Sequence, residues 1–314
     1  MTARHHHYLS QCYLKGFTRG RAKKSKLTVF DLKQKKSFET TPRNVGGMRD
    51  FNRVDIDGID QNHLESALAE FEGQAASVLK KLGEDLEFTG ETKDILLNLI
   101  ALIAVRSPER REHMRKFQAQ LADRVMGLTL ESKDRWESQV ANLKKDDPGY
   151  QNEVTYEEAK AFFDSKEYTI EVAREHHIHM EMVQIEAILP CLFDRNWVLV
   201  KSSSETGPFI TCDNPVSLSW IDPDSVPPFY RSSPGFGLKG TQVYFPISQD
   251  IALMGEFEQS DGVIEGTEEL VALCNSTMLH NFHKQIYAPK STFKFYGKEG
   301  LILNGNRILK EINA

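Results

Sequence analysis

The chain has only four cysteines in 314 residues, Cys12, Cys191, Cys212 and Cys274, and no two form a CxxC pair. That excludes a zinc ribbon or a dithiol centre built on such pairs, and it fits four ordinary thiols in a reducing cytoplasm. Long apolar runs are also missing. The longest nearly apolar stretch, Ile95–Val105, contains Asn98 and is too short to span a bilayer. The N-terminus is polar and histidine-rich, unlike a secretory leader. No GxxxxGK[ST], no GxGxxG following a strand, no GxSxG elbow and no HExxH occurs. The common nucleotide-binding, α/β-hydrolase and zinc-protease readings therefore have no support in motif form.

What is present describes a folded soluble protein with no expected membrane span: 40% hydrophobic and 27% charged residues are enough for a core and too balanced for disorder. The net charge of -6 is unevenly spread. Residues 1–53 hold 13 Lys and Arg against 3 Asp and Glu, while the remaining 261 residues hold 26 against 42. A basic end on an acidic body is either a polyanion-binding face or a solvated hairpin paired against that body.

The stretch Asn196–Leu218 reads as strand, loop, strand. Trp197-Val198-Leu199-Val200 and Phe209-Ile210-Thr211-Cys212 are β-rich runs, and Asp213-Asn214-Pro215 stops the second. A carboxylate and an amide are thus expected at the end of a buried strand, as site residues or as an Asx turn. Tyr8–Phe17 repeats its apolar residues at helical spacing. Leu27–Thr41 reads as a hairpin with a lysine-rich turn. From Asp60 the pattern is helical, with Glu65 and Glu72 two turns apart on one face. The most apolar helix, Thr92–Val105, ends at Arg106-Ser107-Pro108, where Ser107 suits an N-cap and Pro108 a first helical position. The next helix is expected to carry Met114, Phe117, Leu121, Val125 and Leu128 on one face. Helices over 157–166 and 170–189 follow, the latter stopped by Pro190. Strands are expected at 196–201, 208–212, 216–221, 241–247, 251–255, 285–288 and 293–303, with a helix over 267–282.

Two spacings carry weak chemistry. Arg106 and His113 fit R-x6-H, the arrangement of some helical ribonucleases resembling the HEPN superfamily. His176 and His179 lie i, i+3 in EHHIHMEM and lack an evident third ligand, so no metal site is assigned.

Several segments, taken in order, resemble the bacterial family catalogued as domain of unknown function 4238. They are His6-Tyr8-Leu9 with Tyr13-Leu14-Lys15-Gly16-Phe17; Pro42-Arg43-Asn44-Val45; Glu65 with Glu72-Gly73; and Arg106-Ser107-Pro108 with Arg111. Then come Trp197, Phe209–Val216, Phe245-Pro246, and Asn275 leading to Ile286-Tyr287-Ala288. The resemblance spans nearly the whole chain. Cys212 stands where a Ser is expected, and Ser107 where a Thr is more usual. The resemblance implies a role in antiphage defence, as an effector or a sensor, and names no reaction.

The expected architecture is α+β: an N-terminal hairpin and helical middle packed on a mainly antiparallel C-terminal sheet. It is expected as one compact unit with subregions 1–58, 59–190 and 191–314. The expected activity is nucleic-acid cleavage of ribonuclease type. His6 serves as acid or base, Asp213 orients it, and Arg106 holds the phosphate. Asn214, Arg111, His5 and Glu72 contact the substrate. The expected partners are nucleic acid at the basic end and a phage-derived trigger. The alternatives are a non-catalytic module recognising a phage protein or small anion, and a buried network tying the N-terminus to the sheet. Cofactor and oligomeric state have no sequence signal.

Overall fold

A computed structural model describes residues 5–20 and 24–311. Parts of the basic stretch, residues 1–4 and 21–23, lie outside the described residues. The fold is α+β. Two compact units divide it, one of residues 1–108 and 179–314, the other of residues 109–178. No helix among the described residues is long and apolar enough to cross a membrane.

The first unit opens with β1 (His5–His7), α1 (Gln11–Leu14) and a 3-10 turn at Lys15–Phe17. The expected hairpin is β2 (Leu27–Asp31) and β3 (Lys36–Thr40), followed by β4 (Gly47–Arg49). Helices α2 (His63–Asp85) and α3 (Gly90–Val105) pack together. α3 is apolar on almost every face and supplies much of the core. Arg106 leaves the helix in extended geometry, and α4 (Pro108–Thr129) begins at the proline, whose fixed φ suits a first helical position.

Helix α4 carries the expected apolar row. Phe117, Leu121, Val125 and Leu128 do recur along one face, but each is 51–55% exposed, and none of the helix's residues is buried. Periodicity records which residues share a face, not whether anything covers it. The second unit continues with α5 (Lys133–Asp146), capped by Ser132, and α6 (Tyr156–Ser165), opened by a Thr155–Glu158 capping box. α5 runs to Asp146, and the loop that follows starts at Asp147.

Helix α7 (Arg174–Phe193) runs through Pro190 rather than stopping there. The proline forfeits one hydrogen bond, yet the Asp194 N–H still reaches the Pro190 carbonyl at 2.9 Å. Fully buried Leu192 and the Trp197 indole, which donates to the Leu192 carbonyl at 3.0 Å, hold the last turn in place.

The remaining strands are β5 (Asn196–Lys201), β6 (Thr211–Cys212), β7 (Ser217–Trp220), β8 (Thr241–Pro246), β9 (Ile251–Glu256), β10 (Gly262–Glu265), β11 (Gln285–Ala288), β12 (Lys294–Tyr296) and β13 (Ile302–Asn304). Helices α8 (Glu268–Asn281) and α9 (Ile308–Glu311) complete the unit. One sheet has the order β10-β5-β9-β8-β7 and another β3-β2-β11-β6. Pairing is antiparallel except between β10 and β5. β10 escapes the sequence reading because its residues are exposed and give no alternation. β6 is shorter than its apolar run. The Phe209 N–H goes to the Gln249 carbonyl and the Ile210 N–H to the Asn275 side chain, so neither joins a ladder. Tyr13 joins the N-terminus to both sheets, stacking on Phe245 at 5.0 Å and bonding Thr211 Oγ1 at 2.6 Å.

Candidate functional site

The histidine run is a strand. β1 pairs antiparallel with β4 in the register His5 to Arg49, His6 to Met48 and His7 to Gly47. The pleat sends His6 inward, where it is 1% exposed, and leaves His5 exposed and His7 part-buried. A Cβ on Gly47 would run into the exposed His5 ring, which would have to swing aside. Just beyond the strand, the Gly46 carbonyl takes the N–H groups of both Tyr8 and Leu9.

A tight turn follows β4. Asp50 adopts φ 55, and its carbonyl takes the Arg53 N–H at 3.3 Å. The turn places Asn52 in the interior with no exposure. Its backbone N–H donates to His6 Nδ1 at 2.8 Å, and its Nδ2 donates to Glu65 Oε2 at 2.6 Å. Its Oδ1 accepts from Arg106 Nη2 at 2.7 Å. One asparagine therefore joins β1, α2 and the end of α3. The Arg106 guanidinium, 4% exposed, lies 5.9 Å from the Phe51 ring, with Glu181 Oε2 of α7 3.9 Å from its Nε. Tyr8 packs on the same Phe51 ring at 5.9 Å.

The inner layer of this cluster is sealed and the outer layer is partly open. Glu72 sits two turns after Glu65 on α2, in the outer layer. Burial pushes its carboxyl up, the neighbouring Glu65 charge pushes it further, and Arg106 and Lys15 pull back only in part, leaving it at about 7. No hydrogen bond among the described residues reaches the Glu72 carboxylate. Burial also lowers His7, whose Nε2–H donates to the Arg43 carbonyl at 3.2 Å, and raises the Cys12 thiol beside Ser10.

The Asp213 corner is built differently. Its Oδ1 accepts the His283 N–H at 2.8 Å, and its Oδ2 accepts those of Lys284 at 2.8 Å and Gln285 at 3.2 Å. Burial raises this carboxyl, opposed by those three bonds and by the His283 charge. Asn214 Nδ2 donates to the Asn281 carbonyl at 3.0 Å, and Asn281 Nδ2 donates back to the Asn214 and Val216 carbonyls. The corner closes the end of β6 against the entry to β11.

Of the residues singled out in the sequence, His6 and Arg106 meet through Asn52, with Glu72 within range of the Arg106 charge and His5 on the same strand. Asp213 and Asn214 spend their polar groups on neighbouring backbone, and among the described residues no hydrogen bond ties Asp213 to His6. Arg111 stands on α4 in the second unit. His176, in that unit, bonds Gln118 at 2.8 Å. Asn52 and Glu181 were not singled out; an Asn in a polar turn gives no sign in sequence that it will be buried. Glu65 was visible through its spacing from Glu72.

The profile of the family described as Protein of unknown function (DUF4238) matches residues 5–292, and the chain belongs to that family. No curated protein and no solved structure matches the chain.

Proposed function

We propose that this member of the DUF4238 family is a cytoplasmic antiphage-defence effector that cleaves phosphodiester bonds, RNA first, at the His6–Asn52–Glu72–Arg106 cluster. The Glu72 carboxyl carries the reading. It is partly open, has no hydrogen bond among the described residues and titrates at about 7, where a group passes protons most effectively at working pH. Arg106, sealed behind it, sets a positive charge within electrostatic range of that carboxyl. The basic N-terminal region attracts the polyanion and a phage-derived trigger releases the activity. Glu72→Gln and His6→Ala are expected to abolish toxicity and RNA cleavage while the circular dichroism spectrum stays that of the parent. Full toxicity in both variants would sink the proposal.

One observation favours a second reading. Glu65, Glu72 and Glu181 outnumber Arg106 and Lys15 around the cluster. Such a balance suits a basic patch on a phage protein better than a polyanion, and would make the protein a non-catalytic sensor. Binding of a phage protein that survives with no nucleic acid cut, in wild type and Glu72→Gln alike, would select this reading.

A further inference from the structure

We propose that β10 is a docking edge, and that it takes an extended, basic, β-branched segment of a partner protein, added to the sheet as a further strand. This goes beyond the phosphodiesterase reading and does not depend on it. The first argument is the bonding of the strand. β10 is the outermost strand of the sheet β10-β5-β9-β8-β7, and it pairs in parallel with β5 in a register running from Gly262 opposite Val198 to Glu265 opposite Lys201. The Gly266 N–H, next in line, reaches the Lys201 carbonyl at 2.7 Å. Along a strand, alternate residues turn their backbone groups to opposite sides. Gly262, Ile264 and Gly266 therefore bond inward to β5, and Val263 and Glu265 turn their N–H and C=O groups away from it. Among the described residues nothing else bonds to those outward groups.

Sheets commonly blunt such an edge with lysine, proline, a bulge or a covering element. β10 has neither lysine nor proline, and all four of its residues are exposed. Its side chains are as open as its backbone. Val263 is 48% exposed and Ile264 44%, and the pleat sets them on opposite faces, so the edge is uncovered above and below.

The second argument is charge, and it selects the occupant. Residues 256–269 contain six acids, Glu256, Glu258, Asp261, Glu265, Glu268 and Glu269, and no Lys or Arg. Lys201 pairs with Glu265 and Lys294 with Glu268, which leaves the surroundings of the edge acidic. A second copy offering its own β10 would bring two such rows together, and like charges across a strand pair are destabilising. A polyanion is repelled in the same way. A strand carrying Lys or Arg is attracted, and main-chain pairing then supplies the affinity. Side-chain alternation gives the pattern. A basic residue stands opposite Glu265 and a β-branched residue opposite Val263 on one face, with another β-branched residue opposite Ile264 on the other.

The probe is the peptide acetyl-KVTVKVTV-amide, added to the full chain, with amide hydrogen exchange read residue by residue. The Val263 and Glu265 amides should exchange freely in the protein alone. The peptide should slow them by about 10-fold or more and leave Ile264, already bonded to β5, little changed. The acidic counterpart, acetyl-EVTVEVTV-amide, should bind at least about 10-fold more weakly. The basic peptide N-methylated on its central amides keeps its charge, loses its donors and should protect neither amide. Val263→Pro removes an outward donor and leaves the ladder with β5 intact. It should keep the parent melting temperature and bind the basic peptide about 10-fold more weakly or worse. Glu265→Lys changes charge and no backbone group, and should weaken the basic peptide while strengthening the acidic one. Failure of the basic peptide to bind, binding without protection of Val263 and Glu265, or unchanged binding by both variants overturns the proposal. So does a dimer in sedimentation of the protein alone that Val263→Pro dissolves, because the edge then belongs to a second copy.

Discussion

Asp213 and Glu72 are both carboxylates that burial pushes up, and they end in opposite situations. Asp213 gives both oxygens to three backbone N–H groups, so its negative charge closes a chain corner. Glu72 is enclosed without such partners and keeps its proton chemistry available. A carboxylate at a strand end draws attention in sequence because the strand and its stop are local. What distinguishes the two side chains is which distant groups come to meet them. Chemical capacity follows from bonds left unmade in a half-buried place, and stability from bonds made.

The largest test of that contrast is Asp213→Ala. Three backbone N–H groups would lose their charged acceptor, and the expected cost is about 4 kcal/mol in chemical denaturation. A loss below about 1 kcal/mol would show that the corner does not depend on its carboxylate. Next is Arg106→Ala, which removes the cation facing buried Glu181 and the donor to Asn52 Oδ1 and should cost about 3 kcal/mol. The sealed layer of the candidate site would then prove as structural as the Asp213 corner, and toxicity should be read at a temperature where the variant is folded.

Glu72→Gln should move the other way. The folded carboxyl titrates at about 7, above its ordinary 4.5, so the stability it contributes is complete below 4.5 and is lost as pH rises through 7. Glutamine resembles the protonated acid and escapes that loss. The variant should be more stable than wild type at pH 8, by on the order of 2 kcal/mol, and equal to it at pH 4. Parallel pH–stability curves for the two proteins would contradict the perturbed carboxyl. The smallest effect is expected of Asn214→Ala, about 1 kcal/mol, since the Asn281 amide keeps its bond to the backbone carbonyl of residue 214. A cost equal to that of Asp213→Ala would spread the corner's strength over both residues.

Much of the fold could be read from periodicity. The hairpin, α2, α3, α8 and the strands β5, β8, β9 and β11 stand close to where their apolar spacing placed them. The failures share a cause. Pro190 is carried through by packing around Leu192, and exposed β10 is held by pairing with β5. Each outcome was decided by a partner remote in sequence. The site divides along the same line. His6, Arg106 and the Glu65–Glu72 spacing were visible because family motifs and a helical period mark them. Asn52, which bonds three other residues of the site, sits in a turn whose burial depends on β1, α2 and α3 all being in place.

The order in which a ribosome delivers these residues gives the long-range bonding another meaning. His6 emerges early, but its neighbours arrive at positions 52, 65, 72, 106 and finally 181. More than half of the chain must be synthesised before the last carboxylate can face Arg106. A translation product that stops before Glu181 cannot complete the cluster, whatever sequence it already carries. For a protein proposed to harm its own cell, that is a safeguard against incomplete copies, written into the distance along the chain between residues that touch.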